Sequence, residues 1–172
     1  FEGSLTPGRA GDAVGQVFRT LAQRRYDLII ADTPAGLSGY TGHILKNADF
    51  VIVPQQAEPL GARSIPHVLA ALRHLHGEGY TVRLIGILLT LLQREAAAGQ
   101  SVVAELRELL PAEFLLRDMV PRDQDFLEAS ARGVPVGLLR EMAPACAIVF
   151  DKLAADLEAR MKLRTADDTD DE

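Results

Sequence analysis

The stretch that most constrains the fold is residues 26–36, in which an apolar run ends in a carboxylate and a proline. Residues 28–31 are an unbroken apolar run too short for a helix, which predicts a parallel β-strand covered on both faces. Asp32 follows at the carboxyl end of that strand, where ligands bind in open α/β sheets. Pro34 then breaks the strand, because proline has no amide hydrogen for a ladder. Asp32 is therefore predicted either to face a ligand or to cap the next helix.

Predicted strands and helices alternate along the rest of the chain. Apolar runs predict further strands at residues 50–53, 82–89 and 114–120, with Pro54 ending the first of them. Helical periodicity fills the segments between the strands and predicts a last helix that starts at about residue 144. This order dictates right-handed crossovers, so the predicted fold class is α/β, a mostly parallel sheet with helices on both faces.

Length and charge favour one folded body with a polar tail. The 172 residues suit a single domain, predicted at residues 1–165, with an acidic and disordered tail at 166–172. The tail holds five acidic residues, so the formal net charge of −6 falls to about −1 for the rest of the chain. No apolar run approaches the roughly 20 residues of a membrane span, and no signal peptide is recognisable, so a cytoplasmic protein is expected. The single Cys146 fits a reducing compartment.

Four segments, in this order, resemble the ParA/MinD family of deviant P-loop ATPases, which position chromosomes, plasmids or division machinery. Residues 26–36 are similar to the family's second nucleotide motif, and residues 48–54 to the strand that follows it. Gly86-Ile87-Leu88-Leu89-Thr90 is similar to a later core strand. Residues 120–123 with 128–136 are similar to the base-binding loop and its trailing helix. Together the segments make a specific signal, although each alone is weak.

The resemblance implies a site for ATP and Mg²⁺. Asp32 would hold the magnesium ion through water, because a hard dication prefers carboxylate and water oxygens. Thr33 and Pro34 would belong to a loop that senses the γ-phosphate.

The resemblance also implies that Pro121, Arg122 and Asp123 border the adenine. From the residues alone an alternative stays open, in which these three form a strand-to-helix turn and Asp123 is the N-cap. A zinc site built from the four histidines is not expected, because no acidic or cysteine partner completes a ligand set.

The main departure from the family's pattern concerns the phosphate loop. The sequence contains no G-x-x-x-x-G-K-[ST] segment, and none of its three lysines follows a glycine. The resemblance thus implies an incomplete P-loop NTPase-like chain, the C-terminal part of an ATPase domain whose N-terminal strands and phosphate loop are missing. Such a chain is expected not to hydrolyse ATP by itself, because it lacks the loop amides and the lysine that bind the phosphate groups.

The function that the resemblance implies is an ATP-dependent partitioning ATPase of the ParA type. It would act as a homodimer with a ParB-like activating partner and bind DNA without sequence preference. Arg160, Lys162 and Arg164 are candidate DNA contacts, or else a solvated helix face. One alternative is a MinD-like membrane-associated ATPase, which the acidic terminus disfavours because anionic lipid repels it. The other is a non-catalytic interaction scaffold without a phosphate loop.

Overall fold

A computed structural model describes residues 7–24, 26–37, 39–93 and 97–163. Within them, the helices and strands follow one another as α1 (Pro7–Gln23), α2 (Tyr40–Leu45), β1 (Phe50–Gln56), α3 (Pro59–Ala62), α4 (Ile65–Gly77), β2 (Arg83–Thr90), α5 (Ala97–Leu109), α6 (Gln124–Arg132) and α7 (Ile148–Met161). Short 3₁₀ turns lie at Ala112–Phe114, Val136–Leu138 and Ala145–Ala147. The chain divides into a first unit, residues 1–51 with 66–83, and a second unit, residues 52–65 with 84–172.

β1 and β2 are neighbours in one sheet. At their starts the Arg83 N–H donates to the Asp49 carbonyl at 2.9 Å, and at their ends the Ala57 N–H donates to the Thr90 carbonyl at 3.0 Å. The two strands therefore run in the same direction, joined by a helical crossover as parallel strands require. This arrangement confirms the predicted α/β class with a parallel sheet.

Residues 115–121 run beside β2 and meet it and its extension at two parallel bridges, which are Ile87 with Leu115 and Leu92 with Pro121. The chain bends at Arg117 and Asp118 between these bridges, so no continuous third strand forms. The predicted strand at 114–120 is therefore reduced to isolated pairing, and Phe114 lies in a 3₁₀ turn instead.

The apolar residues 28–31 do not form the covered strand that the sequence predicts. No strand is assigned between residues 26 and 34, and Leu28 and Ile30 are 48% and 84% exposed. A strand exists only when a neighbour satisfies its backbone groups, and no described residue pairs with this segment. The prediction of a buried strand at this position was therefore wrong for the chain as described.

The prediction that Pro54 ends its strand was also wrong, because β1 continues to Gln56. The Ala57 N–H points towards β2, so the two-residue alternation of a strand turns the nitrogen of Pro54 to the other edge. In the part of the chain that the structure describes, that edge has no partner strand. Proline is tolerated at such an edge because no ladder bond is lost.

The core of the second unit lies where residues 115–121 meet the last helix. Leu116, Val120 and Leu153 form a buried cluster, against which apolar side chains from β1, β2, α6 and α7 pack. Phe126 of α6 and Phe150 of α7 meet edge to face, with ring centroids 6.1 Å apart. This packing fixes α6 and the turn that precedes it.

In the first unit α1 packs on α2, and Gly15 is buried where the two helices approach. A Cβ at position 15 would lie 3.3 Å from the Asn47 side-chain oxygen, so a larger residue there would require this side chain to shift. Lys46 pairs with Glu78 at 3.0 Å and lies over the Tyr80 ring. No described helix combines the length and the apolar character of a membrane span.

Candidate functional site

Three of the predicted site residues, Asp32, Thr33 and Pro34, lie in the first unit in a segment without regular secondary structure. Asp32 and Pro34 are exposed and Thr33 is half-buried. The Thr41 hydroxyl of α2 donates to the Pro34 carbonyl at 3.2 Å and so ties the segment to that helix. Asp32 is exposed, so its carboxylate is accessible to a hydrated cation.

The other three, Pro121, Arg122 and Asp123, lie in the second unit beyond the carboxyl end of β2. Four backbone hydrogen bonds of 2.9–3.1 Å join residues 116–122 to residues 87–92. The last of them runs from the Arg122 N–H to the Leu92 carbonyl, two residues past the end of β2. This register sets Pro121 and its neighbours at the edge where open α/β sheets bind ligands.

The geometry of Asp123 is that of a helix N-cap. Its backbone is extended, and its Oδ1 accepts the Asp125 N–H at 2.9 Å. At the other end of α6, Gly133 adopts φ 66°, the left-handed conformation of a helix C-cap, which glycine accommodates without strain. The strand-to-helix turn that the residues alone suggested is therefore present, and it leaves the Arg122 side chain exposed beside the proline.

An exposed ion-pair network joins Arg140, which follows the 3₁₀ turn Val136–Leu138, to α6. The Arg140 guanidinium donates to Asp125 at 2.5 Å and to Glu128 at 3.2 Å, and Arg132 pairs with Glu128 as well. The hydrogen bond to Asp125, and then that to Glu128, raises the pKa of Arg140. Networks of this kind fix local geometry more than they add stability, because solvent screens them.

Asp123, Asp125 and Cys146 bring possible ligand atoms within 4.8 Å of one another. Burial first, and then the charges of the two aspartates, raises the pKa of the Cys146 thiol, so the sulfur stays protonated at neutral pH. A thiol is a poor metal ligand until it loses its proton, and Asp125 is already paired with Arg140. The cluster therefore belongs to the capping region of α6.

A polar cleft of 520 Å³ opens in the second unit at the carboxyl end of β1, and its lining consists of Pro54, Gln55, Gln56, Glu58, Gly61, Ser64 and Thr90. The Ser64 hydroxyl lies 2.8 Å from the Gly61 carbonyl and 2.5 Å from the Gln55 side chain. Gln55 and Ser64 were missed as cleft residues because no local pattern marks a contact across nine residues.

Arg160, a candidate DNA contact in the sequence, is used inside the second unit. Its guanidinium donates to the Ile85 carbonyl at 3.0 Å, to the Glu113 carbonyl at 2.7 Å and to Asp156 at 3.1 Å. These bonds tie α7 to the start of β2 and to a 3₁₀ turn. Lys162 is exposed, and Arg164 lies outside the described residues.

The structure therefore assembles two groups, one in each unit. Residues 32–34 form a loop in which the Asp32 carboxylate has no ion pair or hydrogen bond to any residue that the structure describes, and residues 121–123 form a turn at the sheet edge. The cleft belongs to the same unit as this turn. Its Thr90 lies two residues before Leu92, which pairs with Pro121.

Two solved structures share the fold of this chain. A McdA–ATP complex from Cyanothece superposes with a TM-score of 0.72 at 15% sequence identity, over 92% of this chain and 60% of that one. Cobyrinic acid a,c-diamide synthase from Mycobacterium smegmatis, with an ATP analogue and magnesium bound, gives a TM-score of 0.66 at 24% identity, over 87% and 55% of the two chains. The chain thus shares its fold with these two proteins.

Sequence relatives identify the family. The chromosome-partitioning ATPase Soj of Thermus thermophilus is 31% identical over 143 residues, which are 83% of this chain and 57% of that protein. The sporulation initiation inhibitor protein Soj of Bacillus subtilis is 27% identical, over 80% of this chain and 54% of that protein. No family model matches the sequence. The chain belongs to the ParA/MinD family of deviant P-loop ATPases, and it spans about half the length of these curated relatives.

Proposed function

We propose that the chain is the C-terminal part of a ParA-like ATPase that uses ATP and Mg²⁺ to partition a chromosome or plasmid. The observation that carries this proposal is the register of residues 115–121 along β2, which leads Pro121, Arg122 and Asp123 to the carboxyl edge of the sheet. The family relationship supports the same assignment. In this proposal residues 1–165 belong to the ATPase domain and residues 166–172 are an acidic tail.

Asp32 is the magnesium residue of the proposal. Its carboxylate is exposed and free to hold water molecules, which fits a cation that prefers to keep part of its hydration shell. Thr33 and Pro34 follow it in an exposed loop, which is suited to contact a phosphate next to the metal. Bound Mg²⁺ would neutralise charge on the phosphates during transfer.

Pro121, Arg122 and Asp123 form the adenine border of the proposal. The half-buried Pro121 supplies a rigid flat side, and the exposed Arg122 supplies a guanidinium that is able to stack on a base. The Asp123 carboxylate is committed to the start of α6, so its contribution is to fix the turn rather than to contact the base.

We infer that the 172-residue chain does not hydrolyse ATP alone, because its sequence has no phosphate loop and no lysine after a glycine. The intact protein would form a nucleotide-dependent homodimer, bind DNA without sequence preference, and respond to a ParB-like activator. Since Arg160 is held by two backbone carbonyls and Asp156, Lys162 is the better described candidate at the end of α7 for a DNA contact.

The missing phosphate loop also favours a second candidate, a non-catalytic interaction scaffold. The two functions are distinguished by Asp32, which an enzyme needs and a scaffold does not. The test measures Mg²⁺-dependent ATP hydrolysis by the encoded protein including any sequence before Phe1. Asp32→Asn is compared with Asp27→Asn, a matched change at another exposed aspartate of the same segment.

The enzyme proposal expects Asp32→Asn to lower hydrolysis roughly 10- to 100-fold, the usual effect of removing a group that holds a metal through water. Asp27→Asn should leave it within about twofold of the parent. Equal losses in both variants, or no hydrolysis by the parent, would overturn the proposal. Hydrolysis by the 172-residue chain alone would overturn the inference that it is inactive.

A further inference from the structure

Thr41 of α2 is a buried polar residue whose hydroxyl bonds outside its own helix. Only 7% of it is exposed, and its hydroxyl donates to the Pro34 carbonyl at 3.2 Å, seven residues earlier in the chain. Thr20 of α1 shows the ordinary arrangement, in which the hydroxyl donates to the Gln16 carbonyl of the preceding turn at 2.8 Å. The Thr41 hydroxyl therefore connects α2 to a separate segment rather than to its own helix.

The helix that carries Thr41 is held in place by its neighbours. α2 packs on α1 so closely that a Cβ on Gly11 would lie 2.8 Å from the His43 Nδ1. At the end of α2 the Asn47 side-chain nitrogen donates to the His43 carbonyl at 2.9 Å, and Leu45 is buried. The donor hydroxyl thus sits on a packed support, so it is able to restrain the segment that it bonds.

The segment on the acceptor side, residues 26–37, has no regular secondary structure. Among the residues that the structure describes, no other hydrogen bond joins this segment to the rest of the chain. Gly36 and Gly39 follow Pro34 with φ of 95° and 59°. Glycine adopts many backbone conformations at little cost, so these residues do not by themselves restrain Pro34. The described restraint on the segment is therefore the Thr41 hydroxyl.

Proline carries this restraint back along the chain to Asp32. The ring of Pro34 fixes its own φ at about −65°. It also disfavours the helical conformation at Thr33, because the ring would clash with the backbone of the preceding residue. Asp32 lies two residues before the carbonyl that Thr41 holds. A single hydrogen bond at Pro34 therefore limits the backbone conformations of residues 32–34 together.

We propose that Thr41 is a positioning residue for Asp32, whose carboxylate it sets in place by holding the Pro34 carbonyl. This inference rests on the proposed function, in which Asp32 holds Mg²⁺ through water. Groups that orient a metal-holding side chain commonly affect metal affinity almost as strongly as that side chain does. A segment that is ordered before binding also loses less conformational entropy when its ligand arrives. The Thr41 hydroxyl should thus strengthen binding of Mg²⁺ without contacting it.

Four variants separate the hydroxyl from the rest of the side chain. Thr41→Val removes the hydroxyl and keeps the size and the β-branch, whereas Thr41→Ser keeps the hydroxyl. Thr20→Val is the matched control, because it removes an exposed hydroxyl that bonds only within α1. Pro34→Ala changes an exposed residue, keeps the acceptor carbonyl and frees the backbone before it, so it tests the same restraint without altering a buried position.

The first measurement needs no nucleotide. Backbone ¹⁵N relaxation of the 172-residue chain gives order parameters for the amides of Thr33 and Ala35. These values should be near the roughly 0.85 of a rigid backbone in the parent, in Thr41→Ser and in Thr20→Val, and below about 0.6 in Thr41→Val. Pro34→Ala should lower the value at Thr33. Low values in the parent, or unchanged values in both Thr41→Val and Pro34→Ala, would overturn the proposal whether or not the protein hydrolyses ATP.

The second measurement is the Mg²⁺ dependence of ATP hydrolysis by the encoded protein, including any sequence before Phe1. Thr41→Val should raise the half-saturating Mg²⁺ concentration roughly tenfold. Its rate at saturating Mg²⁺ should stay within about twofold of the parent, because the lost restraint weakens binding and not the chemical step. Thr41→Ser and Thr20→Val should match the parent in both quantities.

The two measurements distinguish a failure of this inference from a failure of the proposed function. A merely structural role of Thr41 would lower the saturating rate and leave the Mg²⁺ requirement unchanged, which would overturn the inference while the enzyme assignment stands. An equal rise of the Mg²⁺ requirement in Thr20→Val would overturn it as well. A parent that hydrolyses no ATP would overturn the proposed function and the role toward Mg²⁺ together.

Discussion

Gly86 of β2 and Leu116 of the run beside it are packed so closely that a methyl group at position 86 has no space. A Cβ there would lie 2.5 Å from the Leu116 Cγ and 3.2 Å from its Cδ1. Leu116 is only 1% exposed, so its side chain cannot turn into solvent. This fit matters for the candidate site because the same run leads to Pro121 at the sheet edge.

Overpacking in Gly86→Ala should therefore lower the free energy of unfolding by about 1–3 kcal/mol. The reduced conformational freedom of the unfolded chain should offset about 0.4–1 kcal/mol of this loss. Leu116→Ala empties part of the core and should cost about 2–5 kcal/mol. In the double variant the added methyl meets no leucine and fills part of the cavity. The two effects should then be non-additive, with the double variant more stable than their sum by at least about 1 kcal/mol.

Urea unfolding followed by far-ultraviolet circular dichroism gives the free energy of unfolding of each variant, with the slope m checked for changes in the unfolded state. Gly137→Ala is the matched control, since no atom lies within 4 Å of a Cβ at that position and its φ is not positive. It should change stability by less than about 1 kcal/mol. Additivity of Gly86→Ala and Leu116→Ala within about 0.5 kcal/mol would refute the reasoning.

Three further predictions follow from single contacts. Asp123→Ala should destabilise the chain by about 0.5–2 kcal/mol in urea unfolding, and Asp123→Asn by much less, because both Asp and Asn cap helices. The hydrogen bond from Lys46 lowers the pKa of Glu78 below its ordinary 4.5, so the stability that this pair adds is present above pH 4.5 and is lost as the pH falls through the pKa of Glu78 in the folded chain. In Lys46→Gln, the melting temperature should therefore fall less on acidification than it does in the parent. An unchanged dependence of melting temperature on pH would contradict this prediction. Cys146 should react with a thiol reagent far more slowly in the folded chain than in urea, because the thiol is buried. Equal reaction rates would show that the thiol is accessible in the folded chain.

Most helices and β2 could be predicted because their signals are local. α6 is an example, with an aspartate as N-cap, a periodic apolar face and a glycine at its end, all within one short segment. The turn at residues 121–123 was found in the same way, and its assignment to the adenine came from the family resemblance. That assignment stays a prediction, as does the role of Asp32.

Local sequence patterns fail to predict structure where a strand depends on pairing with another part of the chain. The apolar run at residues 28–31 specifies a strand by composition, but a strand needs another strand to bond with, and none is present among the described residues. Pro54 resembles a strand terminator, yet the outer edge of β1 makes its missing N–H harmless.

The sequence by itself determined most of the helices, the strands β1 and β2 and the N-cap at Asp123, because each rests on residues a few positions apart. Only the tertiary structure decided which side chains meet. The guanidinium of Arg160 reaches the Ile85 carbonyl across 75 residues, and Gln55 reaches Ser64 across nine. No periodicity encodes such distances, because they follow from how the strands and helices pack once they have formed.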